Sequence, residues 1–211
     1  VYEYRLFTPY QPLPTSINYL YDVDTDEAYL FHADKRRGQW LNALFTKPLS
    51  EQASEDFQKT YKKPLTTLVS SDLQAAYPAT IKAQKPLNQV NHQRLNVTLS
   101  AQPGTDILSI YTQQPMTLYS LAVGGRIHRF DEPVTMAAGH KLMEYHITDN
   151  PEITIQLVMS HDTAIDWQIQ SHRSGLLSEF NLDERPDNQM PKAFIKSDLI
   201  TTVQNWTFSD N

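Results

Sequence analysis

Leu95-Asn96-Val97-Thr98-Leu99, Ile107-Leu108-Ser109-Ile110-Tyr111 and Met116-Thr117-Leu118-Tyr119-Ser120-Leu121 all alternate apolar and polar residues. In an extended chain successive side chains point to opposite faces, so a period of two marks a strand with one buried face. Gln102-Pro103-Gly104 and Gln113-Gln114-Pro115 separate these runs with turn-forming residues. Gly124-Gly125 then permits a tight turn with positive φ, which joins Tyr119–Val123 to Arg126–Phe130 as a hairpin. The glycine pair is not a phosphate loop, because neither a helix start nor a Lys-Ser/Thr pair follows it.

Working outward, the same pattern predicts strands at Lys141–Thr148, Ile153–Ser160, Ile165–Gln170 and Leu199–Phe208. Towards the N-terminus, Ile17–Val23, the turn residues Asp24-Thr25-Asp26 and Ala28–Phe31 read as a hairpin, and Val1–Leu6 reads as a further strand. Trp40, Leu41, Leu44 and Phe45 recur at helical spacing after Gly38, which predicts a short amphipathic helix over Gln39–Phe45 packed on that hairpin. Leu49–Lys63 is polar and has few apolar anchors; Ser50 and Glu51 offer a helix start, so the stretch is a surface helix or a loop.

The fold class that follows is mainly β: an antiparallel β-sandwich, jelly-roll-like, with one or two short helices near the N-terminal third. With 211 residues, one large β-domain and two small domains are both reasonable. The reading adopted is a single β-sandwich-like domain over 1–211 with an N-terminal subdomain at 1–85. A start at Val1, without initiator Met or signal peptide, fits a piece excised from a larger protein.

The formal charge of −6 combines 18 Lys and Arg with 24 Asp and Glu. A nucleic-acid surface needs a basic stripe to neutralise phosphates, and only Lys35-Arg36-Arg37 approaches one; it reads as a solvated loop. No run nears the roughly 20 apolar residues that span a bilayer, so no direct membrane span is expected. The lack of cysteine removes disulfides, thiolate nucleophiles and Cys-based zinc sites, and fits a cytosol or a periplasm without disulfides.

Candidates for chemistry are few. His32-Ala33-Asp34 has the His-x-Asp pattern of several metallopeptidases. Two ligands are not a site, and the chain has no adjacent Glu-Glu pair to supply the bridging carboxylate and general base, so it reads as a polar hairpin end. Glu144 and His146 share a strand face and His140 could approach from the preceding turn, a geometry that permits a metal and equally describes a solvent-facing strand. His161-Asp162 reads as a turn after the strand ending at Ser160, and Ser174-Gly175 as a loop, since no Gly-x-Ser-x-Gly elbow lifts a serine hydroxyl out of the fold.

Aromatic side chains on a sandwich face can grip a sugar or a protein. Tyr19 with Tyr21, and Tyr111 with Ile107, share faces, but core filling is the favoured reading for them and still more for Trp167 and Trp206. Asn96-Val97-Thr98 and Asn205-Trp206-Thr207 match the N-glycosylation pattern, which matters only in a eukaryotic secretory route. Catalytic and metal residues are thus expected to be none, with any binding residues undefined.

Two segments carry a family resemblance. The first is Pro12-Leu13-Pro14-Thr15-Ser16-Ile17-Asn18-Tyr19-Leu20-Tyr21-Asp22-Val23-Asp24-Thr25-Asp26-Glu27-Ala28-Tyr29, followed by Gln39-Trp40-Leu41 and Leu44-Phe45. The second is Arg185-Pro186-Asp187-Asn188-Gln189-Met190-Pro191, leading into Ser197-Asp198-Leu199-Ile200-Thr201-Thr202-Val203 and Trp206-Thr207-Phe208. Together they resemble the region after the last membrane helices in bacterial multi-pass members of the zinc-dependent aminopeptidase family M twenty-eight. Tyr29 stands where many relatives are expected to carry Trp, and Leu49–Lys63 is unusually polar for the family.

The resemblance implies a parent with a zinc peptidase domain, membrane helices and then this β-rich part on the periplasmic or other extracytoplasmic face of a bacterial membrane. It implies no cofactor in this chain, with zinc confined to the upstream peptidase domain. The implied partners are the upstream peptidase and membrane domains of the same protein, with a peptide or another protein as a further partner. The leading expectation is therefore a non-catalytic accessory or interaction domain. The alternative is a stand-alone β-sandwich module for carbohydrate or peptide, and a third option is a metal hydrolase using His140, Glu144 and His146.

Overall fold

The computed structural model describes residues 8–35, 38–84, 87–88, 90–161, 163–193 and 196–208. In chain order the elements begin with β1 (Leu13–Thr15), β2 (Asn18–Asp22), β3 (Glu27–His32), α1 (Gln39–Leu44), α2 (Glu51–Tyr61) and β4 (Thr67–Ser70). They continue with β5 (Thr80–Ala83), β6 (Leu87–Asn88), β7 (His92–Ser100), β8 (Ile107–Thr112), β9 (Met116–Val123), β10 (Arg126–Met136), β11 (Lys141–His146), β12 (Glu152–Ser160) and β13 (Ile165–Ser174). The last are α3 (Leu176–Glu179), β14 (Gln189–Pro191) and β15 (Leu199–Phe208). The strand expected at Val1–Leu6 lies outside the described residues.

The chain divides into two compact units, one of Val1–Ala75 with Ser174–Thr201 and one of Ala76–Arg173 with Thr202–Asn211. A subdomain ending at residue 85 has no place for Ser174–Thr201, because periodicity marks strands but not which distant strand each one pairs with.

The second unit is an antiparallel β-sandwich. One sheet has the order β10-β9-β12-β7-β5, with β6 also on β7, and the other has β11-β8-β13 and then Thr202–Phe208 of β15. Leu95, Val97 and Leu99 of β7, Ile153, Ile155, Leu157 and Met159 of β12, and Met116 and Leu118 of β9 supply one inner face. Leu108 and Ile110 of β8, Leu142 of β11, and Ile165, Trp167 and Ile169 of β13 supply the other. Each is an alternate residue of its strand, as the pleat requires, and each such buried side chain contributes about 1.5–3 kcal/mol. Trp206 packs on Trp167 with ring centroids 5.2 Å apart. Gly124 and Gly125 form the two-residue turn expected between β9 and β10, pairing Val123 with Arg126.

In the first unit, β15 through Thr201 begins an order that continues β2-β3-β4. β2 and β3 form the predicted hairpin, with Asn18 opposite Phe31 and Leu20 opposite Tyr29. Tyr29 and Phe31 point to the face that α2 covers, where Phe57 stands 5.3 and 5.2 Å from their rings. His32 points the other way, its ring edge-on to Phe45 just after α1 at 4.6 Å. The polar Leu49–Lys63 stretch is thus a helix: Ser50 Oγ accepts the Ala53 N–H as the N-cap, and Phe57 and Tyr61, four apart, anchor it. β1 and β14 pair in parallel, Leu13 with Gln189 through Thr15 with Pro191. Among the described residues no helix is long and apolar enough to cross a membrane.

Candidate functional site

The first unit holds a cavity of about 310 Å³, and its floor follows from strand parity. Ser16 and Asn18, Phe31 and Ala33, and Leu199 and Thr201 are three pairs of alternate residues from adjacent segments, and all six line it. Lys63 and Pro64 add one wall where the chain leaves α2, whose C-cap Lys62 takes the left-handed conformation that ends the helix. Lys192 and Lys196, from the segment between β14 and β15, add another. The lining therefore contains three lysines and no acidic residue.

Hydrogen bonds fix this arrangement. The Asp34 carboxylate, 3% exposed, accepts from the Ser16 N–H, from Ser16 Oγ at 2.9 Å and from Lys192 Nζ at 3.1 Å. Lys192 N–H donates to the Thr15 carbonyl at 2.9 Å, and Asp198 N–H to the Ile17 carbonyl at 2.8 Å. Asn18 Oδ1 accepts the Leu199 N–H at 3.2 Å. Arg185 holds the Asp198 carboxylate with two hydrogen bonds and Thr15 Oγ1 with a third. The bonds of Lys192 to Asp34 and Thr15, of Asp198 to Ile17, of Asn18 to Leu199 and of Arg185 to Thr15 join residues 15–34 to residues 185–199.

The residues singled out by sequence fall elsewhere. His32 and Asp34 are both buried, and His32 Nδ1 accepts the Asp34 N–H at 3.2 Å, so the His-x-Asp pattern folds inward as a structural link. Glu144 and His146 do meet, at 3.4 Å, but Lys141 binds the same carboxylate at 2.8 Å, which raises the ammonium pKa. His140 is exposed. No trio of His, Asp or Glu suited to a metal ion occurs among the described residues.

His161 lies in the turn after β12, where its carbonyl accepts from Gln93 Nε2 at 3.2 Å; Asp162, Arg36 and Arg37 lie outside the described residues. Ser174 ends β13, and Gly175 opens α3 with φ 98°. Tyr19 is fully buried, its hydroxyl donating to the Leu73 carbonyl at 2.8 Å and accepting the Ala75 N–H at 3.2 Å; burial raises its pKa. Tyr21 donates to Asp26 at 2.6 Å beside the hairpin turn, and Tyr111 is buried under Lys141. Asn96 and Asn205 both lie on strands.

Sequence reasoning did not find Lys63, Lys192 or Lys196. Each is an ordinary lysine next to a proline or a loop, and only the tertiary fold, through the end of α2 and the pairing of β1 with β14, brings them around one space.

No family model matches the chain, and no curated protein does either. Among solved structures, the Fcho1 Mu homology domain of Danio rerio with bound Eps15 peptide is similar over 91% of this chain and 95% of that one, at 10% identity and a TM-score of 0.27. A TM-score that low carries no argument about fold or ligand.

Proposed function

We propose that the chain is a non-catalytic binding and interaction domain, carried on the extracytoplasmic face of a bacterial membrane by a protein whose zinc aminopeptidase and membrane parts lie upstream. One observation supports this reading above the others. The two segments that resemble the M twenty-eight tail are about 160 residues apart in sequence, yet they build one cavity together: Ser16 and Asn18 from the first, Leu199 and Thr201 from the second. A pattern distributed in this way fits a shared binding surface better than two unrelated packing motifs. In the parent, such a domain would select or hold ligands beside the peptidase or bind a partner protein.

The test is to purify the chain, measure its zinc content and assay it against a panel of aminoacyl anilides. Neither stoichiometric zinc nor turnover is expected, and both together would overturn the reading. The sequence upstream of Val1 in its native protein should encode several hydrophobic spans preceded by a domain with His-x-Asp and Glu-Glu motifs; a different neighbour removes the peptidase from the proposal. A stand-alone module for carbohydrate or peptide is the second reading, favoured by the cavity itself. A glycan array separates the two, with specific sugar binding that is weakened in a Lys63→Gln variant of the cavity wall supporting the module.

A further inference from the structure

We propose that the cavity of the first unit takes a carboxylate borne on a small apolar body with no free ammonium group, the chemistry shared by the C-terminal residue of a peptide and a short fatty acid. This rests on reading the chain as a binding domain and names the ligand class. Phe31, Ala33 and Leu199 on the cavity floor and Pro64 on one wall are its apolar lining residues. At about 310 Å³ it lies at the lower end of ligand pockets, which run from roughly 300 Å³ upward, and so suits one side chain rather than a long ligand.

The charge on the walls decides the rest. Lys63 follows α2 while Lys192 and Lys196 come from the segment between β14 and β15, and a lysine ammonium is a compact point charge suited to anions. Lys196 is exposed and Lys63 half-buried, so these two side chains reach solvent at the rim, while Lys192 is held by the buried Asp34. Asn18 commits its carbonyl oxygen to the Leu199 N–H, which leaves its amide hydrogens as donors and again suits an anion. A free amino acid is disfavoured, because its ammonium would meet three lysines and no acidic lining residue. The carboxylate behind them, Asp34, is already held by Ser16 and Lys192.

The experiment is calorimetric titration of the full chain with N-acetyl-L-leucine, its amide, free L-leucine, octanoate, a pentapeptide ending in leucine and inorganic phosphate. N-acetyl-L-leucine should bind at about 1 mM or tighter. The amide and free leucine should each be about tenfold weaker. Lys63→Gln and Lys196→Gln, both at the rim and away from the Asp34 ion pair, should each weaken binding about two- to fivefold without changing the circular dichroism spectrum. Tighter binding of the pentapeptide than of octanoate assigns a peptide C-terminus, and the reverse order assigns a fatty acid. Equal binding of acid and amide, phosphate binding as tightly as the carboxylates, or no carboxylate binding at all overturns the proposal. A chain that fails in this way but also lacks zinc and turnover loses the ligand class alone, whereas zinc with turnover removes the non-catalytic reading whatever the cavity binds.

Discussion

Arg185 binds Asp198 through two parallel hydrogen bonds, Nη1 to Oδ2 at 2.8 Å and Nη2 to Oδ1 at 2.7 Å, while its Nε donates to Thr15 Oγ1 at 2.9 Å. The guanidinium also stands over the Trp40 ring, 5.1 Å from its centroid. Asp198 needs this hold, since it adopts φ 58°, where a side chain other than glycine is strained. A lysine has neither the planar fork nor the stacking surface. Arg185→Ala should cost about 2–4 kcal/mol, somewhat less than a fully buried pair because the Asp198 side chain is 20% exposed. Arg185→Lys should recover only part of that loss. Urea unfolding compares them, with exposed Lys59→Gln as a control within about 0.5 kcal/mol. Equal stability of all three would show that the fork holds nothing.

Of the two rings that anchor helix α2, Phe57 makes the most aromatic contacts. Phe57, 4% exposed, is surrounded by Tyr29, Phe31 and Tyr61 at 5.3, 5.2 and 4.9 Å, whereas most other α2 residues face solvent. Phe57→Ala should cost about 3–5 kcal/mol, and Ser50→Ala, which removes the N-cap acceptor, about 1 kcal/mol. Because Lys63 lines the cavity just beyond this helix, Phe57→Ala should also weaken any cavity ligand more than Ser50→Ala does. The reverse order, in stability or in binding, would place the helix's anchor elsewhere.

These two cases show what the sequence could and could not reveal. The strands of the sandwich were legible because each buries one face, so Leu95, Val97 and Leu99 appear as alternation wherever they pair. Helix α2 was half legible: its cap at Ser50 is a local signal, but two aromatic anchors in a polar stretch define no clear apolar stripe. β1, β14 and the cavity were not legible. Leu13-Pro14-Thr15 and Gln189-Met190-Pro191 are three residues each and contain proline, and they become strands only by pairing with each other. The cavity lies beside that pairing, lined by residues just after β1 and just after β14 as well as by β2, β3, β15 and the exit of α2. His32, Asp34 and Glu144 drew notice as ligand types, yet the lysines that surround the cavity carry no motif.

A pH dependence follows from Tyr61, whose hydroxyl donates to Asp22 Oδ2 at 2.8 Å. Burial first, and the Asp22 carboxylate second, hold its phenol well above the usual value of 10.0. The folded state therefore keeps the proton that the unfolded state gives up. This contribution is fully present below about pH 10 and is lost as pH rises from there towards the folded-state value. Above pH 10 stability should fall by at most about 1.4 kcal/mol per pH unit for this residue. Tyr61→Phe should flatten that alkaline slope, and at neutral pH it should cost about 1–2 kcal/mol, because Asp22 keeps the Asp24 N–H at 2.9 Å but loses the phenol. An unchanged slope in the variant would assign the alkaline loss to other groups.

The turn between β9 and β10 offers a comparison in which side-chain contacts play no part. Gly124 and Gly125 have φ of 55° and 81°, and a Cβ added to either would find nothing within 4 Å. Any cost of substitution is therefore a backbone cost. Both central positions of such a hairpin turn require positive φ, which Asn tolerates at the first far better than a β-branched residue does at the second. Gly124→Asn should accordingly lie within about 0.5 kcal/mol of the parent, Gly125→Ala should cost about 1–2 kcal/mol, and Gly125→Val more. β10 is the edge of its sheet and breaks register between Arg129 and Val134, so the damage should stay local: amide exchange should speed up in β9 and β10, with the β7–β12 core unchanged. If Gly124→Asn and Gly125→Val destabilise equally, the two residues do not share the positive-φ turn that sets the Val123–Arg126 register.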